Sequence, residues 1–232
     1  MRLPLLLSVP HAGLDVPPEA SRYCILGSQD IIDDGDAGAA EIYDLEDRVS
    51  LFFTTVIARA IVDLNRSEDD FSPDGVIKTQ TIYGARVYSE FPPQDVIELL
   101  LERYYRPYHL SLTGAAGKAF LAIDCHTMAA VGPPEAADAG EERPHICISD
   151  REGESLPSEW MEKLRGCLEE SFGQTVSVNK PFKGGYTLAS HSAEMPWVQL
   201  ELSRAGFLPL EEKRRRVLNA LVMFCRGMWP ER

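Results

Sequence analysis

The stretch LPLLLSVPHAG, residues 3–13, runs from a short apolar segment into a histidine and a glycine. The apolar part is too short and too interrupted by prolines to cross a membrane, and no small-residue cleavage site follows it. We therefore interpret residues 3–9 as a buried β-strand. His11 then lies just past the carboxyl end of this strand, which is where open α/β sheets place their ligand crevice.

The alternation continues along the chain, with short apolar runs separated by longer amphipathic segments. This pattern is typical of a largely parallel sheet whose strands are joined by crossover helices. We see no internal repeat or interdomain linker, so we predict a single α/β domain over residues 1–232. The predicted strands are residues 3–9, 52–57, 61–64, 119–123, 145–149, 175–178 and 198–202. The predicted helices are residues 37–49, 94–112, 157–172 and 210–228.

Composition excludes several classes of function. The 232 residues are 44% hydrophobic and 25% charged, which is ordinary for a globular protein. Lys and Arg number 23 against 36 Asp and Glu, so the net charge is −13. Binding to a phosphate backbone or an anionic membrane needs a basic surface. We therefore expect neither a nucleic-acid nor a membrane partner.

The five cysteines are scattered and form no CxxC pair. This distribution indicates neither a disulfide framework nor a thiolate zinc site, and it favours a reducing cytoplasm. A cysteine hydrolase built on Cys125 and His126 is disfavoured, because adjacent residues of a strand point to opposite faces.

Residues 129–143 are rich in Ala, Gly, Pro and Glu and follow a predicted strand. We interpret them as a flexible surface loop, and their position predicts a lid over the ligand crevice.

Two histidines, His11 and His126, follow two predicted strands. A single histidine there is more often structural, but two of them favour a metal site. A catalytic zinc needs about three protein ligands, and the acidic cluster 33–36 offers a carboxylate. We favour Asp36 because it lies closest to the predicted helix, although an aspartate there also serves as a helix cap. Asp124 shares a strand face with His126, so it is either a further ligand or a group that orients the imidazole.

Asn65 and Arg66 follow another predicted strand. An arginine presents a planar fork that holds a carboxylate with two hydrogen bonds, and Asn65 is a polar partner beside it. The alternative is a simple ion pair between Arg66 and a neighbouring acid. The candidate partners are Glu68, Asp69 and Asp70.

Glu201 ends a further apolar run. Burial there raises the pKa of a carboxylate and suits a general base, whereas an exposed edge position would leave Glu201 paired with Arg204. The glycine-bearing loop 183–186 can bring its backbone near a ligand, so Lys183, Tyr186 and the nearby His191 are candidate substrate-binding residues. A plain turn is the alternative for this loop.

Seven short motifs occur in order along the chain and together resemble the N-formylglutamate amidohydrolase family. That family is related to the zinc carboxypeptidases and aspartoacylases. Any one motif is weak, but seven in order are specific. The motifs are SVPHAG (8–13), DAGAAE (36–41), VDLNR (62–66), YYRPYH (104–109), IDCHTM (123–128), NKPFKGGY (179–186) and QLELSR (199–204).

The resemblance implies a three-layer α/β/α sandwich around a mixed, mostly parallel sheet, similar to the zinc carboxypeptidases. It also implies metal ligation by His11 and His126, substrate-carboxylate binding by Asn65 and Arg66, and base chemistry for Glu201. Zn²⁺, one ion per chain, is the expected cofactor. The expected reaction is hydrolysis of a small carboxylate-bearing amide, N-formyl-L-glutamate first, yielding formate and glutamate.

One position departs from those relatives. Carboxypeptidases and aspartoacylases carry a glutamate ligand three residues after the first histidine, whereas this chain has Leu14 there. We substitute Asp36 as the third ligand, with Asp15, Asp33 and Asp34 as rivals. Two alternatives to the formylglutamate hydrolase stay open: a zinc hydrolase of another acylated amino acid or short peptide, and a non-catalytic protein that binds a small carboxylate.

Overall fold

The computed structural model describes residues 2–229. Its strands are β1 (Leu3–Val9), β2 (Val49–Thr54), β3 (Leu121–Met128), β4 (Ile146–Ser149), β5 (Ser177–Val178) and β6 (Trp197–Ser203). They form one sheet in the order β2-β1-β3-β6-β4-β5. Neighbouring strands run parallel except β4 and β6, which are antiparallel. The sheet is therefore mixed and mostly parallel, as expected.

Helices cover both faces of the sheet. They are α1 (Pro18–Ser21), α2 (Ser28–Asp34), α3 (Ala39–Ile42), α4 (Gln94–Leu100), a π-helical turn (Leu101–Tyr105), α5 (Arg106–Thr113), α6 (Ser158–Phe172), α7 (Tyr186–His191) and α8 (Leu210–Met228). One buried cluster joins α3, α6 and α8 to one sheet face, and a second joins α1, α2, α4, α5 and α7 to the other. The predicted three-layer α/β/α sandwich is confirmed.

The predicted strand at 61–64 is wrong. These residues form turns with no sheet partner, and Ile61, Val62 and Leu64 are nonetheless almost fully buried under the sheet. A four-residue apolar run reports burial, and burial does not require strand pairing. The position of this buried segment still matters, because the segment leads directly to Asn65 near the carboxyl ends of the strands.

The predicted helix at 37–49 is also largely wrong. Only Ala39–Ile42 is helical, and Val49 instead begins β2, where it pairs with Leu3. The helix stops at Tyr43, which is fully buried and donates its hydroxyl hydrogen to the carbonyl of His126 at 2.9 Å. Anchoring of this tyrosine and pairing of the strand outweigh the weak local helix preference.

The long helix predicted at 94–112 is confirmed, with a π-helical turn in its middle. Pro107 explains the π-helical turn. Proline has no backbone N–H to donate to the preceding turn of the helix, so the backbone hydrogen bonds just before it change from the α-helical to the wider π-helical spacing. The short helices α1, α2 and α7 were not predicted, since four to seven residues are too few for a helical period to be visible.

The third strand is longer at its carboxyl end than predicted. β3 continues through Met128, so Asp124 and His126 lie inside the strand and not past it. It pairs in parallel with β6, which sets His126 beside Glu201 and Asp124 beside Gln199. These four polar side chains lie together on one face of the sheet, near the carboxyl ends of β3 and β6.

No helix among residues 2–229 combines the length and the apolar character needed to cross a bilayer.

Candidate active site

His11 and His126 meet at the carboxyl edge of the sheet. His11 lies in the turn after β1, and His126 points from β3 toward it, with 4.9 Å between the ring centroids. Both are almost completely buried. Because β1 and β3 are adjacent and parallel, their ends place the two imidazoles side by side.

Each imidazole is held by a carboxylate on its Nε2 side. Nε2 of His11 lies 2.8 Å from Oδ1 of Asp63, and Nε2 of His126 lies 2.9 Å from Oδ2 of Asp124. A carboxylate in this position fixes the proton on Nε2 and leaves the Nδ1 lone pair free. The two Nδ1 atoms are therefore the nitrogens available for a ligand.

Asp36 faces both of these nitrogens. Its Oδ2 lies 3.0 Å from Nδ1 of His126 and 3.7 Å from Nδ1 of His11. The carboxylate is buried and held by the backbone N–H of Thr127 at 3.1 Å. Asp36 makes no helix cap, because Gly38 occupies that position of α3. The structure thus brings Asp36 to the histidines.

The rival aspartates lie elsewhere. Asp34 is buried against Lys78, Asp33 accepts a hydrogen bond from Gln29, and Asp15 is exposed beside the backbone of Ile57. None of these three belongs to the cluster His11, Asp36 and His126, whose ligand atoms all lie within 4.8 Å of one another.

The protonation of this cluster follows from burial and opposite charge. Burial alone lowers the pKa of His126, but the carboxylates of Asp124 and Asp36 hold that pKa well above its ordinary value. Burial alone raises the pKa of Asp36, but the neighbouring imidazoles of His11 and His126 hold that pKa well below its ordinary range. The site strongly favours a cation, whether a proton or a metal ion, between Asp36 and the imidazoles.

The residues fit a metal ion. Nδ1 of His11 is buried without a hydrogen-bond partner among the described residues 2–229, although Nε2 of the same ring is firmly bonded. An orphaned nitrogen of this kind is costly unless a ligand completes it. Two imidazole nitrogens and one carboxylate oxygen form the donor set of a catalytic zinc, with a position left for substrate.

Glu201 lies beside this cluster on β6, in register with His126. Burial raises the pKa of Glu201 to about 7. The charge of His126 lowers this pKa, whereas the charge of Asp36 raises it. Nε2 of Gln199 donates a hydrogen bond to Oε1 of Glu201 at 2.8 Å. The other amide atom of Gln199, Oε1, accepts a hydrogen bond from the backbone N–H of Gly185 at 2.8 Å. A carboxylate that is near half-protonated at neutral pH is suited to proton transfer.

Asn65 is buried at the wall of the site. Its Oδ1 accepts the backbone N–H of Thr187 at 2.8 Å, and its Nδ2 lies 3.5 Å from Nε2 of His126. Gly185 passes so close that any Cβ there would overlap the Asn65 side chain, at 2.2 Å from Nδ2. The glycine at this position is therefore required by packing, and the loop 183–186 does approach the site closely.

Arg66 is partly exposed and paired, though not with the acids considered from the sequence. Its Nη2 bonds Oδ2 of Asp74, and its Nε and Nη1 donate to the carbonyls of Asp74 and Asn65. These contacts use three of the five guanidinium N–H donors and leave two for a ligand.

The candidate residues share one cavity of about 810 Å³. That volume lies within the range of small-molecule sites. Those that line it are His11, Asp36, Asn65, Arg66, His126, Lys183 and Glu201. Lys183 sits at the exposed rim and pairs with Glu152 at 2.8 Å. The loop 129–143 lines the same cavity and is tied by a bidentate Asp138–Arg143 pair, while its movement as a lid stays a prediction.

Tyr186 and His191 do not line this cavity. Nε2 of His191 lies 2.9 Å from Nδ1 of His109, and its Nδ1 lies 2.9 Å from Oε2 of Glu194. Tyr186 packs edge-on against His109. α7 turns both side chains into the core, so the structure does not bring them to the substrate position expected from the sequence.

Several polar residues of the site were not assigned roles from the sequence. Arg59 donates from Nε to Asp63 at 2.9 Å and lines the cavity. Lys78 is fully buried and contacts both Asp34 and Asp74. Asp63 lies within the quoted motif VDLNR, so its position was visible. Lys78 lies in an irregular segment where no pattern marks it.

Cys125 lies on the opposite sheet face from His126, within the other buried cluster. Burial raises the pKa of its thiol well above the ordinary value. The geometry agrees with the dismissal of a Cys125–His126 nucleophile pair.

Comparison with known proteins identifies a family that this chain matches. Residues 3–208 match the family model for N-formylglutamate amidohydrolase. The chain is 26% identical over 224 residues to the N-formylglutamate deformylase of Pseudomonas putida, covering 89% of this chain and 82% of the relative.

Two solved structures share the fold. An N-formylglutamate amidohydrolase from Ralstonia eutropha JMP134 superposes with a TM-score of 0.80 at 20% identity, covering 97% of this chain and 93% of the other. The gene product Atu2144 from Agrobacterium tumefaciens gives a TM-score of 0.70 at 16% identity, with 96% and 88% covered. With a family match that extends from the first strand past Glu201 and Arg204, the chain belongs to the N-formylglutamate amidohydrolase family.

Proposed function

We propose that this protein is a zinc-dependent amidohydrolase that cleaves the formyl amide of N-formyl-L-glutamate to give formate and glutamate. The observation that carries the proposal is the buried cluster of His11, Asp36 and His126 beside Glu201, in which Nδ1 of His11 has no partner among the described residues. The name of the Pseudomonas relative supports the substrate.

His11, Asp36 and His126 would hold the metal through two Nδ1 atoms and a carboxylate oxygen. Zinc in such a site acts as a Lewis acid toward the scissile carbonyl and lowers the pKa of water. Asp63 and Asp124 keep the Nε2 protons in place, so both Nδ1 lone pairs stay directed at the same point.

Glu201 accepts the proton of the attacking water at its free carboxylate oxygen and then returns it to the departing amine. The hydrogen bond from Gln199 fixes the other oxygen, so that the carboxylate presents one defined acceptor. A pKa near neutrality lets the same group act as base and then as acid.

Two of the arginines in the wall of the cavity, Arg66 and Arg59, have different tasks. Arg66, with Asn65, uses its two remaining donors to bind a substrate carboxylate. Arg59 has its Nη1 3.9 Å from Oδ1 of Asp36 and offers positive charge where an oxyanion develops.

The test is metal analysis of the purified protein together with hydrolysis of N-formyl-L-glutamate, with and without a chelator. We expect about one zinc ion per chain and turnover that a chelator abolishes and zinc restores. Zinc without turnover would keep the hydrolase and redirect the search to other acylated amino acids and short peptides. Absence of metal under zinc-replete conditions would contradict the mechanism and favour a non-catalytic binding protein. Location in the cytoplasm remains a prediction.

A further inference from the structure

Arg204 lines the cavity directly after β6, three residues beyond Glu201. Its Nη1 donates to the carbonyls of Asp33 and Gly35, both at 3.1 Å. Gly35 immediately precedes Asp36, so Arg204 approaches the cluster of His11, Asp36 and His126 from the side of residues 33–36. Asn65, in contrast, approaches the cluster at His126. The two sides of the cavity therefore each carry a polar anchor.

The free edge of this guanidinium matches a carboxylate. The two carbonyls use both hydrogens of Nη1, and the part of the chain that the structure describes offers no acceptor to Nε or Nη2. Nε and Nη2 form the edge of arginine that binds a carboxylate through two parallel hydrogen bonds.

Each of the other arginines of the cavity already pairs with a carboxylate of this chain. Arg59 pairs with Asp63, Arg66 with Asp74, and Arg143 with Asp138. Within residues 2–229, no carboxylate pairs with Arg204, although Asp33 lies close enough to bind it through its backbone. Lys180 is likewise unpaired in that range, but it is exposed at the rim and no hydrogen bond holds its amine.

The backbone of Arg204 is firmly mounted. Its N–H donates to the carbonyl of Met128 at 2.8 Å, and the buried amine of Lys213 bonds the carbonyls of Ser203 and Ala205 on either side. A cation held in place in this manner loses little further entropy when it binds an anion.

We propose that Arg204 binds a second carboxylate of the substrate and so sets a preference for N-acyl amino acids with an acidic side chain. The inference rests on the proposed hydrolase function. One carboxylate binds at Asn65 and Arg66, and the other binds the Nε–Nη2 edge of Arg204, with the scissile amide between them at the metal cluster.

The experiment compares N-formyl-L-glutamate with N-formyl-L-glutamine, which has almost the same shape without the second charge. In Arg204→Gln we expect KM for the glutamate substrate to rise by about 10-fold to 100-fold, the usual cost of a lost charge-assisted hydrogen bond. KM for the glutamine substrate and kcat for both should change little. The preference of the wild-type enzyme for glutamate should therefore disappear.

The matched control is Arg215→Gln, which removes an exposed arginine of α8 that pairs with Glu212 and does not line the cavity. It should leave the preference intact. Equal losses on both substrates in Arg204→Gln would overturn the proposal and assign Arg204 to structure. A selective loss in Lys180→Met instead of Arg204→Gln would overturn it in favour of Lys180. If Arg204→Gln fails to fold, Arg204→Lys serves, with a smaller but equally selective loss expected.

Failure of the hydrolase assignment can be separated from failure of this subsite. If zinc-loaded wild-type protein cleaves neither substrate, calorimetric binding of L-glutamate and L-glutamine replaces turnover. Tighter binding of glutamate that Arg204→Gln abolishes would support the subsite without hydrolysis. Equal binding of both amino acids would overturn it.

Discussion

Two pairs of histidines lie in this protein, and they differ in what their ring nitrogens touch. In the pair His11 and His126, carboxylates bind both Nε2 atoms and leave both Nδ1 atoms facing Asp36 and the cavity. In the pair His109 and His191, the nearly coplanar rings have centroids 5.2 Å apart, and all four ring nitrogens have a hydrogen-bond partner. The first pair is prepared for a ligand, and the second is a closed structural link.

The closed pair joins the surface to the site wall. Glu194 bonds His191, His191 bonds His109, and Nε2 of His109 donates to the carbonyl of Leu64, next to Asn65. It contributes to holding the wall in position and offers no nitrogen to a metal. Residue type alone therefore does not distinguish a ligand from a structural histidine. A candidate ligand histidine is distinguished by a carboxylate partner on one ring nitrogen and a free position on the other.

The strongest test of this difference is His126→Ala against His191→Ala. Loss of His126 removes one metal ligand, and we expect the bound zinc to be lost and kcat/KM to fall by at least about 1,000-fold, since metal chemistry supplies several kcal/mol to the barrier. His191→Ala should keep its zinc. Elemental analysis and steady-state kinetics of both variants measure this, and equal zinc loss in both would remove the distinction between the pairs.

Glu201→Gln should separate chemistry from metal binding. The amide cannot accept the water proton, so we expect a full complement of zinc and a fall in kcat of about 100-fold to 10,000-fold, the usual contribution of a general base. A near-normal kcat with zinc present would exclude Glu201 from proton transfer. In the wild-type enzyme the base form is lost as pH falls below the Glu201 pKa of about 7, so kcat should decline on the acid side.

Asp124→Asn tests whether the carboxylate bonded to Nε2 of His126 contributes to metal binding by that histidine. The amide still reaches Nε2 of His126 but no longer supplies charge, and we expect zinc affinity to fall by about 10-fold to 100-fold. Competition with a chelator measures the affinity. Asp15→Asn is the control, because Asp15 is exposed and lies outside the cluster. An unchanged zinc affinity in Asp124→Asn would show that the orientation of the ring does not depend on this charge.

The closed pair should affect stability and not metal binding. Burial, with repulsion from His191, lowers the pKa of His109 to about 4 from its ordinary value of 6.5. The unfolded chain then binds more protons between these two pH values, so the free energy of unfolding falls as pH decreases, by at most about 3 kcal/mol. The full stability is present above pH 6.5.

His109→Asn removes this titration. Urea unfolding of the variant and the wild type at pH 7 and pH 4.5 should give a shallower pH dependence in the variant, with its zinc content unchanged. Identical dependence in both proteins would mean that His109 is not the titrating group.

The sequence and the structure agree on the position of the candidate residues at the strand ends. His11, Asp36, His126 and Glu201 were assigned together, and the structure brings them to one cavity. The structure does not bring His191 to the cavity, and the six residues of α7 carry no visible period that would reveal which way its side chains turn. The sequence also left Arg59 and Lys78 without a role, since the contacts of Arg59 with Asp36 and of Lys78 with Asp34 join segments that are far apart in the chain.

From the sequence alone, apolar periodicity predicted the α/β class, and the family resemblance carried by the ordered motifs implied the layer architecture and the candidate reactive groups, because both kinds of pattern are local properties of the chain. Only the tertiary structure decided which of four aspartates faces the histidines, which ring nitrogens face the cavity, and which of the four arginines lining the cavity lacks a carboxylate partner among the described residues. Those outcomes depend on distances between residues that are far apart in sequence. Asp36 and His126, 90 residues apart, meet because β1 and β3 lie side by side and the backbone N–H of Asp36 donates to the carbonyl of His11, just after β1.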